Sequence, residues 1–159
     1  MISQPLLEHI QSQYALNPQG IHGLAHWRRV LENGLRLAAG TAADAEIVEL
    51  FAFLHDACRL SDGRDLDHGP RAAGLVRSLQ GTLLHLESAE LDLLAYACEH
   101  HTRGWTEADL TVQVCWDADR LDLGRIGVWP DPARLCTPAA RDPALVEWAW
   151  QRSRGSLPL

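Results

Sequence analysis

The sequence predicts an all-α fold, a single compact bundle of six or seven helices. Apolar residues recur along most of the chain with the three- to four-residue spacing of amphipathic helices, and no segment alternates long enough to indicate a sheet. Of the 159 residues, 47% are hydrophobic, so the chain has the length of one domain and enough apolar side chains to form a core.

The first half of the chain predicts three helices. A short amphipathic segment covers about 5–14. A second helix is expected over about 22–39, because an apolar stripe runs along it and Gly40 follows as a C-terminal stop. The string Thr41-Ala-Ala-Asp44 resembles a capping box, so the third helix is expected to begin there and to end near Leu60.

The second half predicts three further helices and a short closing one. The fourth is expected over about 67–80, where a glycine interrupts it, and the fifth over about 88–101 with a serine N-cap. The sixth is expected from a second capping-type string at Thr106 to about Leu123. Prolines then indicate a tail rich in loops, closed by a helix at about 143–152.

The charge pattern excludes several classes of function. Fourteen basic residues, all arginine, stand against 21 acidic ones, for a net charge of −7. An acidic chain without a basic cluster is unsuited to binding a nucleic-acid polymer or an anionic membrane. No apolar stretch is long enough to span a bilayer, no export signal is visible, and the four cysteines form no CxxC pair. The expected compartment is therefore the cytoplasm, and homo-oligomer formation is left open.

The histidines and aspartates are the strongest functional signal. Groups that bind divalent metals fall on five successive predicted helices: His26, His55 with Asp56, His68, His100 with His101, and Asp119. Imidazole together with carboxylate suits manganese, iron, cobalt, nickel or zinc. Burying so many such groups without a metal would be costly, so the pattern favours a metal site.

The order His26, His55-Asp56 and Asp119 resembles the signature of the HD-domain phosphohydrolase superfamily. The strings HWRRV, FLHDACR and DADRLD around these residues match as well, and the resemblance covers about 22–127. It implies one helical domain over 1–159, with a short helical tail from 128, that holds a divalent metal through these four residues. Asp119 is preferred to Asp117 because the family's ligand stands immediately before Arg-Leu.

The positions of the additional histidines resemble the pattern found in the branch of the superfamily that binds two metals. In that branch the aspartate of the His-Asp pair bridges the ions, which here is Asp56. His68 and His100 or His101, or both, would then complete a second site. The resemblance thus implies two divalent ions per chain, with a metal-activated water attacking a small phosphoester or nucleotide.

Several residues are candidates for contact with the substrate. Arg59 stands where the cyclic-dinucleotide-cleaving branch has a lysine, so we expect it, with Asp56 and His101, to take part in catalysis. That branch also carries a Gly-Tyr-Pro string, which is absent here, so cyclic-di-GMP is not assigned as substrate. His22 is a candidate for substrate contact, for a third ion or for a helix cap. Arg120 is a candidate for substrate contact or for a structural salt bridge, with Asp117 or another nearby carboxylate. Trp105, in the loop after His101, is a candidate for lining an apolar group.

Two alternatives remain beside hydrolysis. The superfamily includes di-iron oxygenases with the same order of ligands, and histidine-rich sites hold iron well. A non-catalytic nucleotide-binding module is the other alternative, in which the site is kept for structure alone.

Overall fold

The structure is a computed structural model that describes residues 1–155. It contains seven α-helices within that range: α1 (Gln4–Gln13), α2 (Leu24–Ala38), α3 (Ala45–Leu54), α4 (His68–Leu79), α5 (Ser88–His100), α6 (Leu110–Arg120) and α7 (Pro143–Ser153). Two short 3₁₀ turns, Leu123–Ile126 and Pro132–Arg134, lie between α6 and α7. The described residues form no β-strand, so the all-α prediction is confirmed. Residues 156–159 of the expected domain lie outside the described part.

Aspartates, rather than the threonines three residues before them, begin two of the helices. The Asp44 carboxylate accepts hydrogen bonds from the backbone N–H groups of Glu46 and Ile47 and so caps α3. Asp109 caps α6 in the same way, through the N–H of Thr111. The predicted starts at Thr41 and Thr106 are therefore wrong by three residues or more. Thr41 instead donates its hydroxyl to the carbonyl of Ala38, at the end of the preceding helix.

Two further helix boundaries differ from the sequence prediction. Helix α5 begins at Ser88, but its N-cap is Glu87, which forms a reciprocal capping box with Glu90. Helix α3 ends at Leu54, and the chain continues past His55 in short turns instead of reaching Leu60 as a helix. This early end matters for the site, because it places the His-Asp pair at the end of a helix.

The core lies between α2, α3, α5 and α6. Large aromatic side chains from three of these helices, Trp27, Phe51 and Trp116, are almost completely buried there. Helices α2 and α3 approach closely at Gly34, where an added Cβ would lie 2.4 Å from a methyl group of Val48. Helix α4 packs on α5, and α7 packs on the first 3₁₀ turn. Among residues 1–155, no helix combines the length and the apolar character needed to cross a membrane.

Candidate metal centre

Six metal-binding side chains meet at one end of the helices. His26 comes from α2, His55 and Asp56 from the end of α3, His68 from the first turn of α4, His101 from the end of α5, and Asp119 from the last turn of α6. The four histidines and Asp56 are almost completely buried. Helix ends supply most of these residues, because the side chains of a helix terminus can point along the axis into the space between helices.

The first group of candidate ligands consists of His26, His55 and Asp119. The Nε2 atoms of the two histidines are 3.1 Å apart. They lie 3.4 Å and 3.6 Å, respectively, from Oδ1 of Asp119. Oδ2 of Asp56 lies at the same distances from them, 3.4 Å and 3.6 Å. Each of the two imidazole nitrogens therefore lies close to an oxygen of both carboxylates.

The second group of ligands lies on the other side of Asp56. The Nε2 atoms of His68 and His101 are 2.9 Å apart. Oδ1 of Asp56 is 3.1 Å from His68 and 3.5 Å from His101. Asp56 thus presents one oxygen to each pair of histidines.

Hydrogen bonds fix which nitrogen of each imidazole faces the centre. Nδ1 of His55 donates to the carbonyl of Phe51 at 3.0 Å. Nδ1 of His68 and of His101 donate to the carbonyls of Asp65 and Cys98, at 2.5 Å and 2.6 Å. Because a carbonyl can only accept, the proton of each neutral ring is assigned to Nδ1, which leaves the lone pair of Nε2 directed into the site.

The fourth histidine, His26, is oriented by a carboxylate. Its Nδ1 lies 2.6 Å from Oδ2 of Asp122. Arg29 donates to both oxygens of that carboxylate, from Nε to Oδ1 and from Nη2 to Oδ2. A carboxylate or carbonyl behind a ligating histidine is the usual way in which proteins set its orientation and basicity. Asp122 was not among the residues predicted from the sequence. Its position three residues after Asp119, within the string DADRLD, was the available signal.

This arrangement fits a bound divalent cation. Two Nε2 lone pairs that face each other at about 3 Å repel unless a cation or a proton lies between them. Ligand bonds of about 2.0–2.2 Å in tetrahedral or octahedral geometry place neighbouring ligand atoms about 2.8–3.6 Å apart. The contacts within each group, from 2.9 Å to 3.6 Å, lie in that range. The residues present are therefore suited to hold metal.

The two carboxylates of the site are ionised. Burial would raise the pKa of Asp56, but His55, His101, His22 and His26 outweigh it and hold that pKa well below its usual value. Burial acts on Asp119 in the same direction, and the neighbouring imidazoles of His26 and His55 outweigh it and hold its pKa well below its usual value. Both side chains are thus available as ligands near neutral pH.

His22 and Arg59 both contact Asp56. Nδ1 of His22 is 3.0 Å from Oδ2 of Asp56, and its Nε2 is 3.2 Å from the carbonyl of Asp62. Arg59 donates from Nε to Oδ1 of Asp56 at 3.3 Å, and from Nη1 to two carbonyls of the 61–63 loop. The structure therefore gives both residues a role in positioning Asp56. His22 does not cap α2, whose N-cap is Gly23.

Arg120 and Asp117 do not form the expected salt bridge. Arg120 donates from Nη1 to the carbonyl of Arg134 and lies over the ring of Trp116, 5.5 Å from its centroid. The buried carboxylate of Asp117 faces away and accepts hydrogen bonds from the backbone N–H groups of Cys136 and Thr137. Asp117 therefore anchors the chain after the second 3₁₀ turn, whereas Asp119 faces the ligands.

His100 lies outside the cluster. Its ring packs between Tyr96 and Trp105, with centroid distances of 4.6 Å and 4.9 Å. Adjacent helical residues point about 100° apart, so only one of the two histidines can face the centre, and the structure places His101 there. Trp105 accordingly packs on His100 and is not among the residues that line the cavity over the metal centre.

A cavity of about 490 Å³ adjoins the cluster, and four of the six candidate ligands line it: Asp56, His68, His101 and Asp119. Its walls also include His22 and apolar and arginine side chains from the segment that follows α6. This segment, 123–135, is the part of the site that sequence analysis did not identify. It has no helical period and no metal-binding residue type in a known pattern.

Comparisons with known proteins agree with the geometry. The family model described as HD domain matches residues 23–124. The fold is similar to that of a predicted HD superfamily hydrolase from an uncultured Thermotogales bacterium, with a TM-score of 0.73 and 24% sequence identity over 93% of this chain and 84% of that one. A search of curated proteins gave no match. The family match spans more than half of the sequence and includes the His26, His55-Asp56 and Asp119 positions. The chain therefore belongs to the HD-domain superfamily, the metal-dependent family that its ordered histidines and aspartates resemble.

Proposed function

We propose that this protein is a metal-dependent phosphohydrolase that uses two divalent ions to cleave a small phosphoester. One observation carries the proposal: the two oxygens of Asp56 face two separate pairs of inward-directed imidazole nitrogens. A carboxylate placed in this way can bridge two ions a few ångströms apart. Bound divalent ions would lower the pKa of a water molecule and withdraw charge from the phosphoryl oxygens.

The chain's own residues would hold this arrangement rigid. Asp122 and three backbone carbonyls orient the four imidazoles, and His22 and Arg59 hold the Asp56 carboxylate between them. Ligands fixed before the ions arrive lose little freedom on binding, and they keep the ions at a set separation during the reaction.

The charge of the cavity supports an anionic substrate. Four aspartates and four arginines line it: Asp56, Asp62, Asp119 and Asp131, and Arg59, Arg120, Arg125 and Arg134. These charges balance, so the two dications would leave the cavity positive although the whole chain is acidic. A phosphate group is the anion that two ions and arginines bind together most readily.

The test is metal content together with phosphoester hydrolysis. We expect protein purified without chelator and without air to carry about two equivalents of metal. It should hydrolyse p-nitrophenyl phosphate or bis(p-nitrophenyl) phosphate with manganese or cobalt. Asp56→Asn should lose both the metal and the activity. Asp92→Asn is the matched control, because its carboxylate is 69% exposed and its one ion pair within residues 1–155 is with Arg77.

Three results would overturn the proposal. Activity retained in Asp56→Asn would exclude the mechanism. Iron with oxygen consumption on an organic substrate, and no phosphate release, would support the oxygenase alternative. Metal-loaded protein that binds nucleotides tightly without turnover would support the binding-module alternative.

A further inference from the structure

The segment 123–135 after α6, together with Arg120, lines one side of the cavity over the metal centre. We propose that it is a preformed substrate subsite, in which arginines bind an anionic group and an apolar wall of Ile126, Val128 and Trp129 binds an adjoining aromatic ring. The inference rests on the proposed function for the reaction and adds the class of substrate, an ester of phosphate with an aromatic group close to it.

Two arginines of the subsite have hydrogen-bonding capacity that the protein does not use. Arg125 is about nine-tenths buried and lines the cavity, yet its Nε has no hydrogen-bond partner among the described residues. Nη2 of Arg120, which also lines the cavity, is likewise buried without a partner there. Both side chains line the cavity, so an anion there would lie beside two positive charges whose hydrogen bonds within the protein are incomplete.

The apolar wall is exposed to an unusual degree for side chains of its size. Ile126, Val128 and Trp129 are 50%, 47% and 47% exposed, and all three line the same cavity. Ile21, also half-exposed, lines it as well. Clustered apolar side chains that face a cavity, rather than scattered ones, indicate a binding surface. A flat ring is the group that a half-exposed tryptophan binds best, by offset stacking.

The wall is held in place by its neighbours on both sides. Trp129 packs on Trp150 of α7, with ring centroids 5.1 Å apart. Arg154, just after α7, donates to the carbonyl of Gly124. Gly127 adopts the left-handed conformation, φ +76°, that ends the first 3₁₀ turn and directs the next two residues to the cavity. The hydrogen bond from Arg120 to the carbonyl of Arg134 ties the far end of the segment back to α6.

Binding of two non-hydrolysable phosphonates tests the subsite without requiring turnover. Phenylphosphonate and methylphosphonate share the anionic group and differ in the ring. On the metal-loaded protein we expect calorimetry to show phenylphosphonate binding about tenfold tighter or more. Trp129→Ala should bring the ratio of the two affinities close to one, with little effect on the affinity for methylphosphonate. Trp129→Phe should restore most of the preference for phenylphosphonate. Arg125→Gln should weaken both ligands by a similar factor and leave the ratio unchanged.

Trp105→Ala is the matched control. Trp105 is also a loop tryptophan and is 45% exposed, but it lies outside the cavity, so its removal should leave the ratio unchanged. Ile126→Ala is a second variant in case Trp129→Ala fails to fold, and it should lower the ratio by a smaller factor. Metal content is measured for every variant, so that loss of the ions is not mistaken for loss of the subsite.

The outcomes separate this inference from the proposed function. Equal affinity for the two phosphonates, or a ratio that Trp129→Ala does not change, would overturn the aromatic subsite even in an active hydrolase. Failure of the metal-loaded protein to bind either phosphonate would overturn the anion site. A ring preference that depends on Trp129, in a protein that hydrolyses no phosphoester, would support the subsite and refute the phosphohydrolase proposal.

Discussion

Asp122 accepts a hydrogen bond from Nδ1 of His26 at 2.6 Å and is itself held by Arg29. The pair connects the end of α6 to the first turns of α2. It also places a proton on Nδ1 of His26, because a carboxylate has no proton to donate at neutral pH. Asp122 would therefore act on a bound metal through His26, although it is not one of the candidate ligands.

Asp122→Asn should weaken metal binding by about 10- to 100-fold. The amide can keep one acceptor for His26, but it then directs an NH₂ group at the donors of Arg29. Competition with a chromophoric chelator measures the affinity, and Asp92→Asn is the control for a lost carboxylate at the surface. Equal affinities for the two variants would show that Asp122 has no influence on the metal.

The contact of α4 with α5 sets the distance between His68 and His101. An added Cβ at Gly69 would lie 2.6 Å from the carbonyl oxygen of Glu99 and 2.9 Å from that of Cys98. Gly69→Ala should therefore push α4 away from α5 and destabilise the protein by about 1–3 kcal/mol. Because His68 is adjacent, we expect the variant to bind about one ion rather than two.

Gly74→Ala is the control on the same helix, since nothing lies within 4 Å of the added Cβ. It should stabilise the protein by up to about 1 kcal/mol, the difference in helix propensity between alanine and glycine. Metal analysis and urea unfolding measure both effects. Two bound ions in a destabilised Gly69→Ala variant would show that the helix contact does not determine the second group of ligands.

The two adjacent histidines at the end of α5 differ in their surroundings. His101 faces Asp56, whereas the ring of His100 packs against Trp105. His101→Ala should therefore lower the metal content from about two equivalents to about one, and His100→Ala should leave it unchanged. Elemental analysis of both variants decides the matter, with circular dichroism to confirm folding. The opposite pattern would mean that His100 is the ligand.

The helices and the cluster of candidate metal ligands were predictable because their signals are local. Apolar periodicity marks each helix by itself, and the order of His26, His55-Asp56 and Asp119 can be recognised as a string. The start of α3 was not predictable, since the N–H of Asp44 donates to the hydroxyl of Thr111, a residue distant in the sequence. This tertiary contact favours the start at Asp44 over the one at Thr41.

The cavity wall was not predictable for a related reason. Trp129 lies in a segment without helical period, and its position depends on Trp150 and on the turn at Gly127. Trp105 had the stronger sequence signal, because it closely follows the histidine pair, but its ring packs on His100. Which of two loop tryptophans faces the cavity is decided by packing between elements, and no pattern within either loop encodes it.

The two aspartates of the Asp117-Ala-Asp119 string should separate stability from metal binding. Asp117 accepts from two backbone N–H groups and from the hydroxyl of Thr137, all buried. Asp117→Asn should destabilise the metal-free protein by about 2–3 kcal/mol, because an amide cannot accept all three. Asp119→Asn should cost less stability in the metal-free form but weaken metal binding strongly. Urea unfolding without metal measures the stability of both variants, and chelator competition measures their metal affinity. If both variants lost mainly stability, or both lost mainly metal affinity, the distinction would be refuted.

Metal binding should release a proton from His26. Burial and the charge of Arg125 act to lower its pKa, but the hydrogen bonds with Asp119, Asp122 and Asp56 outweigh them and raise it to about 9. In the metal-free protein the imidazole is therefore protonated at neutral pH, and a metal ion must displace that proton from Nε2.

Below about pH 9 the apparent metal affinity should rise about tenfold per pH unit for this one proton, and above pH 9 the dependence should level off. Titration calorimetry in buffers with different ionisation enthalpies counts the protons released, and binding that releases none at pH 7 would show that His26 is already neutral there.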